Sequence, residues 1–169
     1  MPDLPLHAAI VHVPLGLSFI VPLVAIGTWI AVRRGRLPRS AFAILVGLQL
    51  ALAGSGFAAM AAGDRDQKRV EKVVGKRVVH DHEERGEAFV WTASAVAALA
   101  IALLLLPARA LSIAAALTVA GTLAVAALAF RTGEAGGEIV YRHGGAAVYA
   151  ERAPGVFPAG PGAEEAARR

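Results

Sequence analysis

Residues 10–32 read IVHVPLGLSFIVPLVAIGTWIAV, a run without one Asp, Glu, Lys or Arg. Wound as a helix at about 1.5 Å per residue, it is long enough to cross the roughly 30 Å hydrocarbon core of a bilayer. Three further runs share the property: Ser40–Gly63, Ala88–Leu106 and Ala110–Phe130. Only closed hydrogen-bonding structures survive in lipid, so apolar runs of this length imply helices. The expected fold class is therefore all-α, an integral membrane four-helix bundle with spans near 10–32, 40–63, 86–106 and 109–131. Residues 1–150 form one transmembrane domain, with a short extramembrane helix or loop between spans two and three. Residues 151–169, rich in Pro, Gly and Ala, read as a loosely ordered tail.

Composition points the same way. Hydrophobic residues make up 56% and charged residues 18%, and mean hydropathy is +0.57, all outside the range of a soluble domain. The net charge of +4 is concentrated beside the membrane without interleaved aromatics, so nucleic acid is not an expected partner. The chain has no cysteine. That excludes disulfides, thiolate-held iron–sulfur clusters, covalently attached haem and catalytic thiols.

Topology follows from the arginines. Met1–His7 lacks the basic residues of a leader, and the run after it is too long for one, so it reads as a retained span. Arg33, Arg34, Arg36 and Arg39 crowd the first short loop, which the positive-inside rule assigns to the cytoplasm. Both termini and residues 64–87 are then expected outside, with Arg109 inside, in a bacterial inner membrane. Residues 64–85 carry Val70, Val73, Val74 and Val78 at weak helical spacing, either continuing span two or lying on the surface. Small residues recur every four positions, as in Gly47, Ala51, Ser55, Ala59 and Gly63, a pattern that lets helices pack closely or pair between copies. Gln49 reads as an interhelical hydrogen-bonding residue, and Pro14 and Pro22 as bends in span one.

Five histidines carry the chemistry: His7 and His12 at the start of span one, His80 and His82 before span three, and His143 after span four. An even number of crossings separates these places, so all lie at one face of the membrane. On a helix, His7 and His12 are about 140° apart and His80 and His82 about 200° apart, so one of each pair can point inward. His12 lies within the apolar run and is the expected inward ligand, because an ionisable residue at membrane depth normally faces the protein. Gly16 lies one turn below His12, and Gly86 one turn below His82. Two imidazoles with glycine beneath them suit a flat macrocycle, which points to haem b between His12 and His82. The run His80-Asp81-His82-Glu83-Glu84 suits a divalent transition metal instead, with His80 and Glu84 as an i,i+4 pair and His7, His143 or Glu138 as further ligands.

The segment Leu6–Leu15, with His7, Val11, His12, Val13 and Pro14, resembles the "HPxxVHFP" opening of a family of four-helix bacterial membrane proteins catalogued as domain of unknown function 2231. The end of the chain is similar too: Thr132-Gly133, Gly136–Tyr141, His143-Gly144 and Val148. His82 with Gly86 matches the histidine that opens the family's third helix. Ala8 departs from the pattern, which usually has Pro there. The resemblance covers Leu6 to about Tyr149. It implies four transmembrane helices and a histidine-rich outer face, and relatives joined to Rieske or cytochrome-type modules suggest electron transfer.

Three functions follow as expectations. One is a b-type haem protein exchanging electrons with a redox protein or quinone, using His12, Gly16, His82, Gly86 and His143. Another is a metal-handling protein using His7, His12, His80, His82 and His143 with Glu83, Glu84 or Glu138. The third is a cofactor-free scaffold. His143 is expected to cap the site on a fold-back of residues 136–149. No nucleophile–base arrangement, phosphate loop or carboxylate pair suggests a hydrolase or a kinase.

Overall fold

A computed structural model describes residues 6–150. Helix α1 spans Leu6–Ile10 and α2 spans His12–Arg33; a 3-10 turn, Arg39–Ala41, leads into α3, Phe42–Val74. Helices α4 (Lys76–Leu105), α5 (Ala108–Tyr141) and the short α6 (Ala147–Ala150) follow, and the described residues contain no strand. The four long helices run up and down in a ring: α3 packs on α2 and α4, and α5 packs on α4 and α2. All four are long and apolar enough to cross a membrane.

The helices outrun the apolar segments. Helix α3 has 33 residues and α5 has 34, about 50 Å each at 1.5 Å per residue, well beyond a roughly 30 Å hydrocarbon core. Residues 64–87 are thus no separate element. They continue α3 and α4, which meet in a hairpin at Gly75, whose φ of +90° favours glycine. The charged residues of this hairpin are largely solvated, which a long helical extension permits.

Proline placement shapes the first span. Pro14 has no N–H to donate to Ile10, yet Val11 keeps helical dihedrals and the Leu15 N–H donates to its carbonyl at 3.1 Å, so the winding carries on from α1 into α2. Pro22 is buried inside α2. The packed face of α2 is Pro14, Ser18, Val21, Pro22, Ala25 and Thr28. Its alternating three- and four-residue steps keep one azimuth, as at a coiled-coil seam. Helix α3 does the same with Leu45, Gln49, Leu52, Gly56 and Ala59.

The strict four-residue stripe behaves differently. Gly47 and Ala51 are exposed, Ser55 is half-buried and only Ala59 is buried. Each step of four residues turns the helix about 40° past a full circle, so the stripe precesses from the outer surface into the core. Inside the bundle Gln49 Nε2 donates to the Ala93 carbonyl at 3.0 Å, joining α3 to α4. Ser18 and Thr118 donate to carbonyls one turn back in their own helices, Pro14 at 2.6 Å and Ala114 at 2.8 Å.

Arg36 and Gly75 lie at opposite ends of the bundle. Reporter fusions at these two residues are expected to report opposite compartments. The same compartment for both would overturn the four-span arrangement.

Candidate functional site

Helical winding carried through Val11 decides which histidine enters the bundle. Helix α1 packs against α3, and His7 Nδ1 lies 2.7 Å from the Ala59 carbonyl oxygen. A carbonyl only accepts, so Nδ1 carries the proton and a neutral ring keeps its lone pair on Nε2. The ring rests over Gly63 of α3, where an added Cβ would stand 3.1 Å from Nδ1. Gly63 is what allows an imidazole to reach the backbone of α3.

From the other side comes His82. It extends the packed face of α4, which includes Val79, Phe89, Val90 and Ala93. Its ring meets that of His7 edge to face, with centroids 6.0 Å apart and planes at 89°. Gly136 of α5 stands close beneath it, where a Cβ would lie 3.3 Å from His82 Cε1. The Thr132 backbone also interacts with this imidazole. His82 Nδ1 is buried without a hydrogen-bond partner. Leaving a buried polar atom unsatisfied costs about 1–3 kcal/mol, a cost that a ligand on that nitrogen would offset.

The other sequence-derived candidates lie elsewhere. His12 is exposed, and its Nδ1 reaches only the Ala9 carbonyl at 3.4 Å. It is not the inward residue of span one, because the packed face of α2, continued backwards by the same helical winding, passes through Val11 and His7 instead. Gly16 is exposed and Gly86 half-buried, and a Cβ at either would meet nothing within 4 Å. The expected glycine cradle is therefore not beneath the histidines; Gly63 and Gly136 stand there. His80 is exposed and pairs with its own helix, Nε2 lying 3.4 Å from Glu84 and Nδ1 3.9 Å from Glu83. Glu138 binds Arg142 at 2.8 Å.

The expected fold-back of residues 136–149 is also corrected. Helix α5 continues to Tyr141, because residues 136–141 remain hydrogen-bonded as helix despite two glycines. The chain reverses only afterwards, at Gly144 with φ +68°. Gly145 then packs on Ile139, and Tyr149 Oη donates to Asp66 of α3 at 2.9 Å. His143 is exposed on the turn. Sequence reasoning missed Gly63, Gly136 and the Tyr149–Asp66 contact. The signal for Gly63 was available, since it continues the alternating face that runs through Gly56 and Ala59.

Among the described residues no group of three or more His, Asp or Glu side chains is arranged to hold a metal ion. A shallow cavity of about 410 Å³ opens between α4 and α5, lined by Glu84, Arg85, Ala88, Leu128, Arg131 and Glu134. It begins two residues along α4 from His82.

A substitution at Gly63 tests the seat of His7. Gly to Ala in a helix ordinarily stabilises by up to about 1 kcal/mol, and Gly54→Ala, with open space around its Cβ, is expected to do so. Gly63→Ala should show the opposite sign, because the methyl group presses on the ring. Thermal melts in detergent check this; equal gains for both variants would remove His7 from its position over Gly63.

These features define a polytopic all-α membrane protein with a histidine pair at one end of its bundle. The chain belongs to the DUF2231 family of predicted membrane proteins, whose model matches residues 3–148. No curated protein and no solved structure matches it.

Proposed function

We propose that this is a b-type haem protein of the bacterial inner membrane that passes single electrons, with His7 and His82 as the iron ligands. The observation that carries the reading is the pair itself, two adjacent imidazoles from different helices, one with a buried nitrogen that has no hydrogen-bond partner. The two ring centroids lie 6.0 Å apart with planes at 89°. A ligating histidine is normally held by a hydrogen bond from its other ring nitrogen, and the Ala59 carbonyl serves His7 in this way. His7 and His82 would be the two protein ligands that such a group needs.

Bound haem would supply one-electron ferric–ferrous chemistry. The chain's own contribution would be to fix the two half-buried rings against Gly63 of α3 and Gly136 of α5. A redox protein or a lipid-soluble quinone is the partner that such a site would serve. In this orientation the histidine end and the Gly75 hairpin face outward and the arginine loop faces the cytoplasm. An absorption spectrum of the purified protein tests the reading, which requires a Soret band and sharp visible bands on reduction.

A second reading is a divalent transition metal in place of haem, favoured by the approach of His80 Nε2 to Glu84 at 3.4 Å. Metal analysis of the same preparation separates the two, since iron without a Soret band, or zinc, copper or nickel, supports the second.

A further inference from the structure

Two apolar runs end side by side where α4 and α5 pack together, near the histidine end of the bundle. On α4 the charge-free run starts at Ala88, just after Glu84, Arg85 and Glu87; on α5 it ends at Phe130, just before Arg131 and Glu134. The cavity of about 410 Å³ joins these two boundaries, with Glu84, Arg85, Arg131 and Glu134 on its polar side and Ala88 and Leu128 on its apolar side. Sites for small molecules enclose about 300–1,000 Å³, and this cleft is of that size.

All four charged side chains are exposed, so a ligand can reach them. Among the described residues Arg85, Arg131 and Glu134 form no hydrogen bond or ion pair, and Glu84 meets only His80, at 3.4 Å. Two guanidinium and two carboxylate groups thus share one cleft without pairing with one another. A simple anion entering it would face the carboxylates, and a simple cation the arginines. The lining fits a ligand that carries both signs: guanidinium forks pair with phosphate oxygens, and carboxylates accept from an ammonium N–H.

The apolar side makes that ligand an amphiphile. Helical winding carries the Ala88 line of α4 on through Thr92 and Ala95, and the Leu128 line of α5 through Ala124, none of them buried. These short side chains project little, so an acyl chain can follow both lines down into the lipid layer.

We propose that the cleft between α4 and α5 seats a phospholipid whose headgroup ends in a primary ammonium, as in phosphatidylethanolamine. Arg85 and Arg131 take the phosphate, Glu84 and Glu134 take the ammonium, and the acyl chains pass Ala88 and Leu128. The site uses neither His7 nor His82, so its test does not depend on haem.

The test uses the full chain, purified in detergent and stripped of lipid. Phosphatidylethanolamine, phosphatidylcholine or phosphatidylglycerol is added, and retained lipid is counted by native mass spectrometry. The wild type is expected to retain one phosphatidylethanolamine per chain and less of the other two. Phosphatidylcholine has no ammonium N–H to donate, and phosphatidylglycerol has no cation to meet the carboxylates. The double variant Arg85→Gln, Arg131→Gln should weaken phosphatidylethanolamine retention about tenfold or more, through the loss of charge-assisted hydrogen bonds. In Glu84→Gln, Glu134→Gln the preference should pass to phosphatidylglycerol, a reversal that a purely structural role would not produce. Ala88→Phe fills the cleft with every charge kept and should lower retention of all three lipids. Equal retention of phosphatidylethanolamine and phosphatidylcholine by the wild type overturns the proposal, as does an unchanged lipid preference in Glu84→Gln, Glu134→Gln. Displacement of the lipid by equimolar phosphoethanolamine also overturns it, assigning the cleft to a soluble zwitterion. If a double variant does not fold, the wild-type comparison decides together with Glu134→Gln alone, which breaks no bond among the described residues and should narrow the preference over phosphatidylglycerol.

Discussion

Replacing either His7 or His82 with Ala is expected to abolish the low-spin haem spectrum, while His12→Ala and His143→Ala leave it at full height. His7 and His82 meet ring to ring across the bundle, and each stands over a glycine, Gly63 or Gly136, that lets it approach. With haem bound as proposed, loss of one imidazole would remove one of its two protein ligands, and with it the sharp bands expected on reduction. His12 and His143 are exposed, so their loss removes no ligand. His80→Ala should also be silent for haem, because His80 turns toward Glu83 and Glu84 on its own helix. The measurement is the reduced-minus-oxidised spectrum per mole of protein from haem-sufficient cells. A spectrum lost in His12→Ala but kept in His7→Ala would return the ligand to His12. A wild type without a Soret band, even after haemin is added, would defeat the haem reading and leave metal binding or scaffolding.

Gly121→Leu is expected to cost stability at the middle of the bundle. A Cβ at this position of α5 would lie 2.6 Å from Val96 Cγ2 of α4, closer than real contacts allow. Val96 is buried, and a β-branched side chain in a helix has one strongly preferred rotamer, so it cannot swing aside cheaply. The helices must separate or the new side chain must leave its rotamer. Overpacking of this kind costs about 1–3 kcal/mol. Denaturant titration in mixed micelles measures the loss, and adding Val96→Ala to the same chain should recover part of it, since the two side chains compete for one volume. A Gly121→Leu protein as stable as the wild type would show that α4 and α5 do not touch at this level.

The four spans, their order and their helical nature were legible because hydropathy sums along the chain, and lipid admits few alternatives to a helix. The inward position of His82 could be read from the apolar face it continues. His12 could not be judged correctly from its apolar surroundings alone, because every face of a lipid-embedded helix is apolar. The better guide was the run Pro14, Ser18, Val21, Ala25 and Thr28, where small and polar side chains mark the packed face of α2. Continued backwards through Val11, that spacing arrives at His7.

The sequence by itself determined that the chain is a four-span helical membrane protein with its histidines at one end and its loop arginines at the other. Those properties depend on composition and on position along the chain, and both are read in one dimension. Only the tertiary structure decided that His7 rather than His12 meets His82, that Gly63 and Gly136 rather than Gly16 and Gly86 stand against the rings, and that Arg39 supplies the donor Pro107 lacks. Each is a contact between helices far apart in sequence, such as Arg39 with Leu103 or His7 with Ala59. Such contacts depend on the rotation of each helix about its axis, which interhelical packing sets and mean hydropathy does not resolve.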